Sequence, residues 1–101
     1  MVGRLDLHKT FEELLGSKNV YFQPPPTYKM KYPAIRYRRN DIQNTFADNG
    51  VYNQRHSYEV IVIDKNPDSE IVEKVSKLPC CSYDRSYVVD NLNHDVFTIT
   101  I

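Results

Sequence analysis

This chain of 101 residues has no tryptophan, only three glycines and only two cysteines, and its formal net charge is zero. Each scarcity excludes something. So few glycines leave no phosphate-cradling loop, and no nucleophile elbow or HExxH stretch occurs either. The two thiols, Cys80 and Cys81, are adjacent, which is no disulfide-framework spacing. They read as reduced residues at a strand start, in a reducing cytoplasm. No run approaches the ~18 apolar residues of a membrane span, and residues 1–16 contain no apolar signal-peptide region. A neutral chain gives no global argument for nucleic acid or membrane.

What is present is one domain's worth of hydrophobic residues, 41% of the chain, near the lower end of comfortable self-sufficiency. The spacing of Leu7, Phe11, Leu14 and Leu15 predicts an amphipathic helix over 4–15, stopped by Gly16. Residues 18–23 read as a short strand, followed by an extended connector at Pro24-Pro25-Pro26. Asn66-Pro67-Asp68 predicts a helix start, with Asn66 as N-cap, and that helix carries Ile71, Val72, Val75 and Leu78 as far as Pro79. Residues 80–89 and 94–101 read as strands joined by the turn Asp90-Asn91-Leu92-Asn93. In the last strand Phe97, Ile99 and Ile101 alternate with Val96, Thr98 and Thr100, a half-buried pattern. The expected fold is α+β, a two-layer sandwich of two helices on a mostly antiparallel sheet, in the order α-β-β-β-α-β-β.

The most informative feature lies in the middle. Asn49-Gly50 is a strong type I′ turn signal between two long arms, 33–48 and 51–64. An arm of about 13 residues spans on the order of 43 Å, against a radius of gyration near ~13 Å for a 100-residue domain. The base of this hairpin is apolar and its outer half polar, so a long β-hairpin should protrude, and a lone two-stranded ribbon is marginal in water. With a two-residue turn at Asn49-Gly50, Ile35 and Tyr37 share the core face with Tyr58, Val60 and Val62. Ile42 and Phe46 then fall on the opposite face with Ile61 and Ile63, as an apolar set for a neighbouring subunit or a further strand.

Charge and aromatics extend that expectation. Residues 1–50 hold eight Lys/Arg against five Asp/Glu, and residues 51–101 hold five against eight. Opposite patches on one chain suit head-to-tail contact between copies. Arg36, Arg38 and Arg39 are expected to face Asp84, Asp90 and Asp95 of a neighbour. Eight tyrosines form an interface-leaning composition, Tyr83 and Tyr87 among them. The basic cluster Lys29, Lys31, Arg36, Arg38 and Arg39, interleaved with Tyr28, Tyr32 and Tyr37, also fits a small nucleic-acid-binding module. His8, His56 and His94 are isolated and read as surface or turn residues, so no catalytic, cofactor or metal site is expected.

The layout, Leu7-His8-Lys9-Thr10-Phe11, Val20-Tyr21-Phe22-Gln23-Pro24-Pro25, Tyr32-Pro33-Ala34-Ile35-Arg36-Tyr37 and Asn91-Leu92-Asn93-His94-Asp95 together resemble the tail-terminator (tail-completion) proteins of long-tailed bacteriophages. The resemblance implies a structural virion protein of the neck, assembled in the bacterial cytoplasm. It implies a homo-oligomeric ring, a hexamer, that caps the tail tube and joins it to the head connector or head-closure protein, with DNA passing through the lumen without stable binding. Another head-tail joining protein of related fold fits the same pattern.

Overall fold

The computed structural model describes residues 4–25, 29, 31–47 and 50–101, without the side chains of 43–54. The element order is α1 (Arg4–Leu15), β1 (Val20–Phe22), β2 (Ala34–Ala47), β3 (Gly50–Asp64), α2 (Glu70–Ser76), β4 (Cys81–Val89) and β5 (Leu92–Thr100). This is an α+β fold with two helices and one five-stranded mixed sheet, ordered β1-β2-β3-β5-β4. Only β1 and β2 run parallel; the other neighbouring pairs are antiparallel.

α1 forms where its spacing places it, with Leu7 and Phe11 fully buried. Gly16 ends it at φ 74°, a left-handed conformation that a side chain would strain, and its N–H donates to the Glu12 carbonyl at 2.9 Å. The main core gathers Leu7, Phe11 and Val75 from the helices onto Ile35, Tyr37, Tyr58, Val60, Val62, Phe97 and Ile99 from the sheet. Tyr37 sits at its centre, with Phe22, Phe11 and Tyr58 ring centroids at 5.0, 5.4 and 6.1 Å. Tilted and edge-on aromatic contacts of this kind add roughly 0.5–1.5 kcal/mol per pair beyond burial. A second cluster, Ile61, Ile63 and Val96 with Tyr87 and Leu92 against it, occupies alternate strand positions on the other side of the sheet. β5 is therefore apolar on both faces at Val96-Phe97, and Val96 does not follow the exposed positions Thr98 and Thr100 were expected to share with it.

Several boundaries differ from the sequence reading. β1 covers three residues instead of six. α2 is capped by Ser69, whose Oγ accepts the Ile71 N–H at 3.3 Å. Asn66 is no N-cap: its Oδ1 accepts the Asp68 N–H, and Asp64 Oδ1 accepts the Asn66 N–H, so both side chains hold a turn. The helix stops at Ser76, short of Pro79, where Leu78 N–H bonds the Val75 carbonyl in a tightened last turn. The β4–β5 turn is two residues, Asp90-Asn91, both at positive φ as a type I′ turn requires, and Leu92 and Asn93 belong to β5.

The hairpin register also departs. Ala47 pairs with Gly50, so Gly50 is a strand residue and the turn is not Asn49-Gly50; Asp48 and Asn49 lie outside the described residues. At the base, Ile35 pairs with Val62 and Tyr37 with Val60, which keeps the expected core face. Between Arg39 and Asp41 the register shifts, Asn40 being the extra residue, and a second shift separates Thr45 from Phe46. The first bulge inverts the alternation beyond it. Ile42 therefore pairs with His56, on the face of Tyr58 and Val60, and not with the Ile61 and Ile63 side. The side chain of Phe46 lies outside the described residues.

Candidate subunit interface

Beyond Arg39 the hairpin loses its neighbours. β1 pairs with β2 only at Ile35–Tyr37, and β5 pairs with β3 only from Ser57 inward, so 41–47 and 50–55 have only each other as strand partners among the described residues. The molecule measures 51 × 29 × 23 Å, with a radius of gyration of 14.7 Å. Its long axis is more than twice its short one, above the ~13 Å of an ordinary domain this size.

The free edge of β2 is partly closed by side chains. Gln23 Oε1 accepts the Arg39 N–H at 3.2 Å, and Asp41 Oδ1 accepts the Ile42 N–H at 2.8 Å. Both occupy donors that an added strand would need. Neither cap is visible in a sequence pattern: Gln23 reaches Arg39 only because β1 lies parallel beside β2.

Three arginines lie on β2, Arg36 and Arg38 on the face of Ile61 and Arg39 on the opposite face with Tyr58. Arg38 donates to both carboxylate oxygens of Glu59, at 3.1 and 3.2 Å, across the β2–β3 pair. Arg36 is half-buried and lines a cleft of about 250 Å³ with Gln23, Pro24, Arg38, Glu59 and Ile61. Arg39 is exposed. Asp84 and Asp90 lie at the far edge of the sheet, and Asp95 on β5 beside it. Asp84 pairs with Arg85 at 2.6 Å, Asp95 accepts the Tyr83 hydroxyl at 3.2 Å, and Asp90 sits in the turn. Tyr87 is half-buried, stacked on His94 at 4.8 Å. Tyr83 is 54% exposed and packs edge-on against Phe97. The structure thus brings Tyr83 and Asp95 together and keeps them apart from the arginines, since β3 lies between β2 and Asp95 on β5, and β3 and β5 lie between β2 and Tyr83 on β4. Three strand spacings amount to ~14 Å for Asp84 and two to ~10 Å for Asp95, and among the described residues no ion pair joins either to Arg36, Arg38 or Arg39.

The histidines have local partners. His8 Nδ1 lies 2.7 Å from the Tyr37 hydroxyl and its Nε2 lies 3.8 Å from Glu12. His94 Nδ1 lies 3.0 Å from the Leu92 carbonyl. Burial pushes the Tyr37 phenol above its ordinary value of 10.0, partly offset by the hydrogen bond from Arg4. Burial also raises the Cys81 thiol above 9.0, which leaves less of it as the nucleophilic thiolate. Among the described residues no three His, Cys, Asp or Glu side chains converge as metal ligands, and no helix is long and apolar enough to cross a membrane.

Glu59 and Gln23 are the residues that sequence reasoning missed. Glu59 alternates with Tyr58 and Val60, so its strand position was readable, but its partner depended on the register. No protein-family model matches the chain, and no curated protein matches it.

Proposed function

We propose that this chain is a structural ring subunit of a bacteriophage neck: a tail terminator whose copies form a hexamer on the last ring of the tail tube and meet the head connector. In this reading the subunit is a two-layer α+β sandwich, the chain is not an enzyme, and DNA crosses the lumen without being gripped. The observation that carries the reading is the two-stranded outer hairpin. Such a ribbon is marginal by itself in water, and neighbouring copies in a ring would supply the contacts it lacks.

The separation of charges supports the same arrangement. Arg36, Arg38 and Arg39 stand two or three strands away from Asp84, Asp90 and Asp95 in their own copy, whereas a head-to-tail neighbour would present one set to the other. Exposed pairs are worth about 0–1 kcal/mol each, so they set orientation more than affinity. Among the described residues Arg38 and Asp84 already hold partners within the subunit, which leaves Arg36, on the Ile61 face, and Arg39, on the Tyr58 face, as the freer of the three cations. Growth stops by geometry: one side of the ring matches the tube and the other fails to template another tube ring.

Negative-stain imaging of the purified chain should show six-fold rings. A phage genome lacking it should give tails of irregular or excessive length and heads that fail to join. Normal tails and joining would reject the terminator assignment. Salt-sensitive DNA affinity without rings would favour a nucleic-acid-binding module instead.

A further inference from the structure

The two long sheet edges are treated differently. The exposed edge of β2 carries side-chain caps, while none closes the edge of β4 among the described residues. β4 also exposes large apolar side chains along that edge, Tyr83 at 54% and Val88 at 65%.

The backbone phase of β4 follows from its partners. Ile101 and His56 exchange both hydrogen bonds, so odd residues of β5 point to β3 and even ones to β4. Thr100 N–H bonds the Cys80 carbonyl, which turns Cys80 and Ser82 toward β5 and leaves Cys81 and Tyr83 facing outward. Then the bulge at Asp84 shifts the register: Arg85, Tyr87 and Val89 pair with Val96, His94 and Leu92. Beyond the bulge the outward residues are therefore Ser86 and Val88. The free edge offers Cys81 and Tyr83 on one side of the bulge, and Ser86 and Val88 on the other.

A regular strand cannot match that edge, because its outward groups keep one alternation throughout. A strand with the same bulge running the opposite way does match. From this we infer that β4 pairs antiparallel with β4 of a second copy about a two-fold axis at the bulge. Cys81 lies opposite Val88 of the second copy, Tyr83 opposite Ser86, and Ser82 opposite Tyr87. Asp84 lies opposite Arg85, and Arg85 opposite Asp84. Each aspartate–arginine pair is thus made twice across the axis, and the exposed tyrosine and valine are covered. Slipping the register by two residues in either direction sets an outward residue against the bulge or against an inward one. The contact is isologous, the same patch on both copies, and it does not rest on the ring reading.

The test uses the full chain with Cys80→Ser and Val88→Cys. Opposed residues of a hydrogen-bonded pair have Cα atoms ~5.5 Å apart, inside the ~4.4–6.8 Å that a disulfide spans. Mild oxidation should link positions 81 and 88 of two copies into a covalent dimer. With Cys81→Ser added, the new thiols at position 88 sit seven residues apart along the paired strands, roughly 23 Å, and should not link. A folded protein that does not cross-link, or one that links equally well without Cys81, overturns the pairing. Charge supplies an independent readout that needs no thiol. Asp84→Arg and Arg85→Asp should each weaken dimerisation roughly tenfold, since like charges then oppose each other twice. Mixing the two variants should restore a heterodimer, and absence of that rescue also overturns the pairing. Rings without the 81–88 link would reject this contact and leave the ring standing; linked dimers that never close into rings would do the reverse.

Discussion

Residues 34–39 of β2 lie between β3 and β1 or its Gln23 cap, whereas residues 41–47 of the same strand have, among the described residues, a strand on one side only. The first set includes Ile35 and Tyr37, almost wholly buried, while Ile42 in the second is 39% exposed. One strand thus belongs to two environments, and the bulge at Asn40 marks the change. The base is held by its own subunit through apolar burial and aromatic contacts. Among the described residues the backbone of the outer ribbon pairs only with its return strand, where three or more strands or a packed layer would normally reinforce it. Stability and assembly should accordingly respond to different substitutions.

Phe97→Ala should give the largest effect, because it empties a fully buried site beneath the base. The expected loss is about 3–5 kcal/mol of folding free energy, read from urea unfolding. A loss below ~1 kcal/mol would mean that the base is not the core this account describes.

Tyr37→Phe should be milder, about 1 kcal/mol, since it removes one hydroxyl hydrogen-bonded to His8 and contacted by Arg4. It carries a pH signature. The phenol is raised in the folded state above its ordinary 10.0, so the unfolded chain loses that proton first. The stabilisation is present below pH 10.0 and is lost as pH rises through the higher folded value. Cys81, raised above 9.0, adds a loss in the same direction. The Tyr37→Phe variant should show a shallower alkaline decline, and an unchanged slope would count against the buried phenol as its source.

Ile42→Ser probes the ribbon. Monomer stability should change by no more than about 0.5 kcal/mol, as for a surface site, while ring assembly measured by light scattering should fall. Equal assembly by the variant would remove Ile42 from the interface. Smallest of all, Arg38→Ala at the junction should cost about 0–0.5 kcal/mol, because the Arg38 member of its pair with Glu59 is largely exposed. Raising the salt concentration should erase most of the difference.

The sequence made the base legible and the ribbon only partly so. Leu7, Phe11, Leu14 and Leu15 announce α1 because helical spacing depends on the residues themselves. Ile35, Tyr37, Tyr58, Val60 and Val62 announce a shared face for the same reason, and a register error of two residues leaves that face intact. The face of Ile42 was lost because a single inserted residue, Asn40, inverts every later position, and a bulge leaves no periodic signal. The start of α2 was misread because Asn66 can cap a helix or hold a turn; Asp64 and Asp68 draw it into the turn. At the candidate interface, Tyr83, Asp84 and Tyr87 were visible as exposed-pattern residues. The Arg38–Glu59 pair and the Gln23 cap were not, since both need strand neighbours that only the folded sheet defines.

The central claim is that the outer ribbon exists for contact between copies. It is tested most directly by replacing residues 42–56 with an Asn-Gly turn, which joins the paired residues Asp41 and Ser57, and comparing sedimentation of the two proteins. The account predicts that the full chain sediments as a closed ring. The shortened chain should stay folded and go no further than a pair joined along β4. A shortened chain that assembles like the full one, or a full chain that never exceeds such a pair, would contradict it.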